Sequence, residues 1–85
     1  MDQNYPNPFS GETEIRVKVE SLREINDASL QFTNPEGVVL QQILLHPGIG
    51  ENIVKFKPPA GYRGLVFTSL ILHGKVVQTN KMVVL

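Results

Sequence analysis

The chain contains no cysteine. That one absence excludes disulfide staples, thiolate zinc sites and cysteine nucleophiles together. Small extracellular domains commonly rely on such staples, so a fold of this length must be held by its apolar core. With 85 residues, the chain fits one small domain spanning residues 1–85. A domain of that size buries only about 60–65% of its unfolded surface, so modest stability is expected. A cysteine-free chain is also compatible with passage through an oxidising periplasm.

Net charge is missing as well. Eight basic and eight acidic residues cancel, and they are scattered rather than blocked. Nucleic-acid binding needs a basic stripe against phosphate, and a membrane surface needs a polybasic patch; neither pattern is visible. Long apolar runs are absent too. Ile43-Leu44-Leu45 and Leu70-Ile71-Leu72 are far too short to span a bilayer. Met1-Asp2-Gln3-Asn4 lacks the charged-then-apolar pattern of a secretory signal. Two expectations follow: a cytoplasmic protein, or a piece of a longer precursor whose signal lies upstream. No internal repeat, low-complexity tract or useful helical period is present.

What is present is alternation of period two, the signature of half-buried strands. Thr13 to Val19 places Ile15, Val17 and Val19 on one side and Glu14, Arg16 and Lys18 on the other. Leu22 to Asp27 breaks the pattern and reads as a loop or a short helical turn. Ala28 to Thr33 alternates again, with Ala28, Leu30 and Phe32 inward. Asn34-Pro35-Glu36-Gly37 is a turn, with proline pre-setting φ and glycine accepting a positive φ. Val38 to Leu45 carries apolar residues on both faces around Gln41-Gln42, which predicts a bulge. His46 to Gly50 reads as a loop. In Glu51 to Lys57, Val54 and Phe56 point inward, and Lys55 and Lys57 outward. Pro58 to Gly64 is a rigid connection unable to join a ladder. Leu65 to Leu72 is nearly all apolar and predicts a central strand covered on both faces. His73-Gly74 predicts a two-residue hairpin with positive φ at both positions, and Lys75 to Leu85 the antiparallel return. Short strands at this spacing predict an all-β, two-sheet antiparallel sandwich of about seven strands. Its core holds Ile15, Val17, Leu30, Phe32, Val54, Phe56, Leu70 and Met82.

Chemistry is hard to find. His46 and His73 fall in separate turns without a ligand pattern around them. Thr68 and Ser69 sit mid-strand with no elbow or oxyanion loop. Glu12, Glu14 and Glu20 read as the wet face of one strand. Gly48, Gly50, Gly61 and Gly64 form no phosphate loop. The expectation is a non-enzyme with no cofactor and no metal. Tyr5, Phe9 and Tyr62 are the aromatic candidates for contacts. Tyr5 and Phe9 are expected to pin an N-terminal arm, which leaves Tyr62 as the better exposed contact.

The two ends carry the most specific signal. The opening Tyr5-Pro6-Asn7-Pro8-Phe9, followed by Thr13-Glu14-Ile15, resembles the start of the C-terminal sorting domain of proteins exported by the type IX secretion system of Bacteroidetes-type bacteria. Asn34-Pro35-Glu36-Gly37-Val38-Val39 falls in the slot where that family has Asp, variable residues, Gly and aliphatics. Gly64 and Leu65 to Leu70 fall in the slot for Gly and an aromatic-alternating strand. The family aromatics would lie at Val66 and Thr68, whereas this chain has Phe67. His73-Gly74-Lys75 resembles the Asp/Asn-Gly-Lys turn, and Lys81-Met82-Val83-Val84 the family's finish. The opening block is shared with an Ig-like domain of flagellar hook-capping proteins, and the finish favours the sorting domain.

The resemblance implies an Ig-like β-sandwich that is the last domain of a larger secreted protein. It implies recognition by the outer-membrane type IX translocon and removal by the associated sortase. Location would be periplasmic in transit, then cell-surface or extracellular. By position, the recognition residues would be Gly64, Gly74, Lys75, Lys81, Met82, Val83, Val84 and Leu85. The alternative is an Ig-like accessory module for adhesion, carbohydrate binding or spacing in a cell-surface protein.

Overall fold

The computed structural model of the protein describes residues 1–18, 27–46 and 51–85. The readings of Val19 as buried, of residues 22–26 as a loop or helical turn, and of residues 47–50 as a loop fall outside the described residues. The described residues form six strands: β1 (Thr13–Lys18), β2 (Ala28–Thr33), β3 (Val39–Leu44), β4 (Glu51–Phe56), β5 (Gly64–Leu72) and β6 (Lys75–Val84). All of them pair antiparallel. β1 and β4 form a two-stranded sheet, and a four-stranded sheet has the order β3-β2-β5-β6. No helix occurs among the described residues. The fold is all-β and sandwich-like. About seven strands were expected and six occur among the described residues; the N-terminal arm makes only isolated bridges, since Pro6 and Pro8 have no N–H with which to extend a ladder.

Alternation built the core. Ile15, Val17, Leu30, Phe32, Val54, Phe56, Leu70 and Met82 are all buried, joined by Phe9, Ala28, Leu45, Val66 and Val84. Phe32 of β2 and Phe56 of β4 stack across the two sheets, with centroids 4.1 Å apart and planes 5° apart. Phe9 meets Phe56 edge-on at 6.5 Å. Three rings therefore tie the arm and both sheets together.

β5 departs from expectation. It is central in its sheet, yet only one face is closed: Val66, Thr68 and Leu70 are buried, while Phe67, Ser69 and Ile71 are half-exposed and Leu65 is exposed. Three of its outward residues, Leu65, Phe67 and Ile71, are themselves apolar, so the run looked buried on both sides when only its inward set is. Both slots for the family aromatics, Val66 and Thr68, thus face the core, and Phe67 faces out.

Two ladders carry bulges. Opposite Phe32 and Thr33, the partner in β3 jumps from Gln41 to Val39, so the bulged residue is Leu40, next to the expected Gln41-Gln42. Opposite Leu70 and Ile71, β6 jumps from Gln78 to Val76. The β2–β3 turn closes on Asn34, whose Oδ1 accepts from the N–H groups of Glu36 at 3.0 Å and Val38 at 2.9 Å. An Asp side chain would supply the same acceptor. At the β5–β6 hairpin, His73 has φ 51° and Gly74 φ 77°, the paired positive values of a two-residue turn whose twist matches the strands. Replacing Gly74 by valine is expected to destabilise the fold by more than about 1 kcal/mol, since β-branched residues avoid that region. Thermal or urea unfolding reads the effect, and an unchanged midpoint would reject the turn assignment.

Candidate functional site

The two segments that carry the resemblance are adjacent in space. The arm runs first beside β1: the N–H of Asp2 donates to the C=O of Arg16, and Tyr5 and Glu14 exchange both main-chain bonds. It then crosses to β6. The N–H of Phe9 donates to the C=O of Val83 at 3.0 Å, and the N–H of Leu85 to the C=O of Phe9 at 2.8 Å, forming a parallel bridge between Phe9 and Val84. One short segment therefore closes an edge of each sheet.

Side-chain amides complete this closure where proline cannot donate. Asn7 Oδ1 accepts from the N–H of Val83 at 2.9 Å, and Gln3 Nε2 donates to the C=O of Lys81 at 2.8 Å. Buried Asn4 donates through Nδ2 to Thr13 Oγ1 and to the C=O of Pro6, each at 3.0 Å. Thr13 Oγ1 in turn donates to that carbonyl at 2.8 Å. Gln78 Nε2 reaches the C=O of Met1 at 2.9 Å. Asn4 and Thr13 were not among the residues singled out from sequence. Their signal is indirect: Pro6 and Pro8 have no N–H, so nearby amides and a hydroxyl must supplement the main-chain bonds of that stretch.

Tyr5 and Phe9 separate in role. Phe9 is 2% exposed and packs on Phe56. Tyr5 is 82% exposed; its main chain anchors the arm and its ring does not. Successive extended residues face opposite ways, so Asn4 and Tyr5 cannot both point inward. Pro6, Asn7 and Pro8 are exposed. Tyr62, expected as a free contact, is half-buried against the core, and its hydroxyl donates to the C=O of Leu65. It lines a shallow cleft with Asn34, Pro35, Glu36, Arg63 and Gly64.

The candidate recognition residues divide into two groups along β6. Gly74 and Lys75 lie at the hairpin tip, and Gly64 pairs with Val84 at the far end, beside Lys81 to Leu85. Ten residues of strand set the groups roughly 30 Å apart at the usual rise. Lys75, Lys81 and Leu85 are exposed and Val83 is half-exposed, whereas Met82 and Val84 are buried. The outer edge of β6 over Lys81 to Leu85 is occupied by the arm. A partner meets side chains there, not unpaired backbone. Lys81 projects from the outer face opposite Phe67.

The residues considered for chemistry stay apart. His46 and His73 are both exposed, and the main chain of His46 is held by the Asn52 side chain. Thr68 is buried beside Met82, and Ser69 bonds Thr79 at 3.0 Å. Comparison of the chain with protein-family models, curated proteins and solved structures returned no match.

Replacing Phe9 by alanine is expected to cost about 3–5 kcal/mol, the range for a buried phenylalanine. Replacing Tyr5 should cost under about 0.5 kcal/mol, as for an exposed side chain. Urea unfolding of the two variants compares them directly, and equal losses would overturn the described seating of the arm.

Proposed function

We propose that the chain is a C-terminal sorting domain of the type IX kind, an address recognised by the outer-membrane translocon and cut from its cargo by the associated sortase. The observation that carries this reading is the junction of Phe9 with Val84. The two blocks through which the chain resembles that family, at opposite ends of the sequence, are bonded to each other through the main chains of Phe9, Val83 and Leu85. Residues selected together for one recognition task are expected to sit together, whereas spacer modules have no need to join their ends.

The strand order supports an Ig-like reading of the sandwich. The chain places β1 in one sheet, β2 and β3 in the other, returns β4 beside β1, and sends β5 back beside β2 with β6 on its outer side. This is a Greek-key alternation between sheets, with the arm in the role of the first strand. In this reading Lys75, Lys81, Val83 and Leu85 offer the side chains a translocon contacts. Met82 and Val84 hold the strand in place from within, and the partners are the translocon and sortase.

The test fuses residues 1–85 to the C-terminus of a reporter in a type IX-competent bacterium. The parent fusion should reach the cell surface. Reversing both exposed lysines, Lys75→Glu with Lys81→Glu, should abolish export while circular dichroism stays unchanged, because exposed substitutions typically cost within about 0.5 kcal/mol each. Deleting Val83 to Leu85 is a poorer probe, since it removes buried Val84 and the arm's partner together. Failure of the parent fusion, or full export of the charge-reversed one, would leave an accessory module as the better reading.

A further inference from the structure

Each sheet has two edges, and three of the four are guarded. The arm covers β1 and the end of β6, and bulges break the regularity of β3 and β6, the usual protections against unwanted pairing. β4 has neither among the described residues. It pairs with β1 over six consecutive residues without a register shift.

The direction of its free groups can be worked out. Glu14 and Arg16 turn their main-chain groups toward the arm, bonding Tyr5 and Asp2. In an antiparallel ladder such residues form the non-hydrogen-bonded pairs with the opposite neighbour. Their partners are Lys55 and Ile53, and by the same alternation Lys18 faces Glu51. The N–H and C=O groups of Glu51, Ile53 and Lys55 therefore point away from β1, along the outer edge of the sheet. No main-chain bond to them occurs there among the described residues. Their side chains share the exposed face, and Ile53 stands 51% exposed between the two charges.

We propose that this edge pairs with the same edge of a second copy, antiparallel about a two-fold axis through Ile53. The order Glu51, Ile53, Lys55 is self-complementary in that register alone: Ile53 meets Ile53, and each Glu51 meets Lys55. Across the merged sheet, Glu14 and Lys55 of one copy continue into Glu51 and Lys18 of the other, so the charges alternate in sign along each row. The exposed ion pair between Arg16 and Glu51, at 3.6 Å, already sets Glu51 on this face. A two-fold contact of this kind closes on itself and stops at the dimer. The pairing holds independently of whether the domain is an export signal.

Sedimentation equilibrium of the full chain should show mass rising from one chain toward two between about 1 μM and 1 mM. Amide exchange at Ile53 should slow over the same range. Lys55→Glu alone makes the edge all acidic, and Glu51→Lys alone makes it all basic. Each should weaken self-association at least about tenfold, since like charges placed directly opposite repel. An equimolar mixture of the two variants should restore the dimer, because each Lys then meets a Glu. A parent chain that stays monomeric at about 1 mM, variants that dimerise as well as the parent, or a mixture that stays monomeric would each overturn the proposal. The exchange measurement needs no variant and decides the matter if either substitution unfolds the chain.

Discussion

Phe56 is the side chain on which the most separate parts converge. It stacks on Phe32 from the opposite sheet and receives the edge of Phe9 from the arm, and it is fully buried. A sheet of two strands is marginal by itself. It persists here because its inward face is committed to the other sheet through these rings and the aliphatic residues around them. With no cysteine to form a disulfide, the two sheets are joined through this core, and the three aromatic rings bridge them at its centre.

Around this apolar centre, polar groups do a different job. Buried Asn4, Thr13, Asn52 and Ser29 are each bonded. No buried side-chain donor or acceptor among the described residues lacks a partner. In the arm these bonds replace a ladder that proline forbids. Individually such bonds contribute about 1 kcal/mol, but leaving one unmade in the interior costs more. The arm is thereby held in one position rather than merely attracted to the surface, and this position brings the opening motif to the closing one.

Strand by strand, the sequence revealed what local alternation can encode. β1 sets Ile15 and Val17 against Glu14, Arg16 and Lys18, so its inward face was readable, and Leu30 and Phe32 in β2 and Val54 and Phe56 in β4 fell at the same spacing despite buried Asn52 and exposed Ile53. The His73-Gly74 hairpin was readable because a two-residue loop demands unusual backbone angles. What stayed hidden depends on contacts between distant residues. The seating of the arm rests on bonds such as that between Asn7 and Val83, 76 positions apart, and no short window shows it. β5 misled because Leu65, Phe67 and Ile71 are apolar although they lie outside the closed core. Tyr62 misled because a residue in a proline-rich loop can still fold back onto the sheet. Of the candidate site, membership was suggested by resemblance and the burial of Met82 was readable from alternation, while the pairing of Val84 with the arm became visible only in the packing.

The pairing of Phe9 with Val84 also bears on how the protein is made. A ribosome delivers residues in order, so the arm emerges among the first segments and its partner strand among the last. Until β6 has left the exit tunnel, Phe9 has no strand to pair with, and β5 has no neighbour on that side. The closing contacts join residues of high sequence separation, which form late and slowly. The closure between the arm and β6 can therefore form only when nearly all of the domain is free.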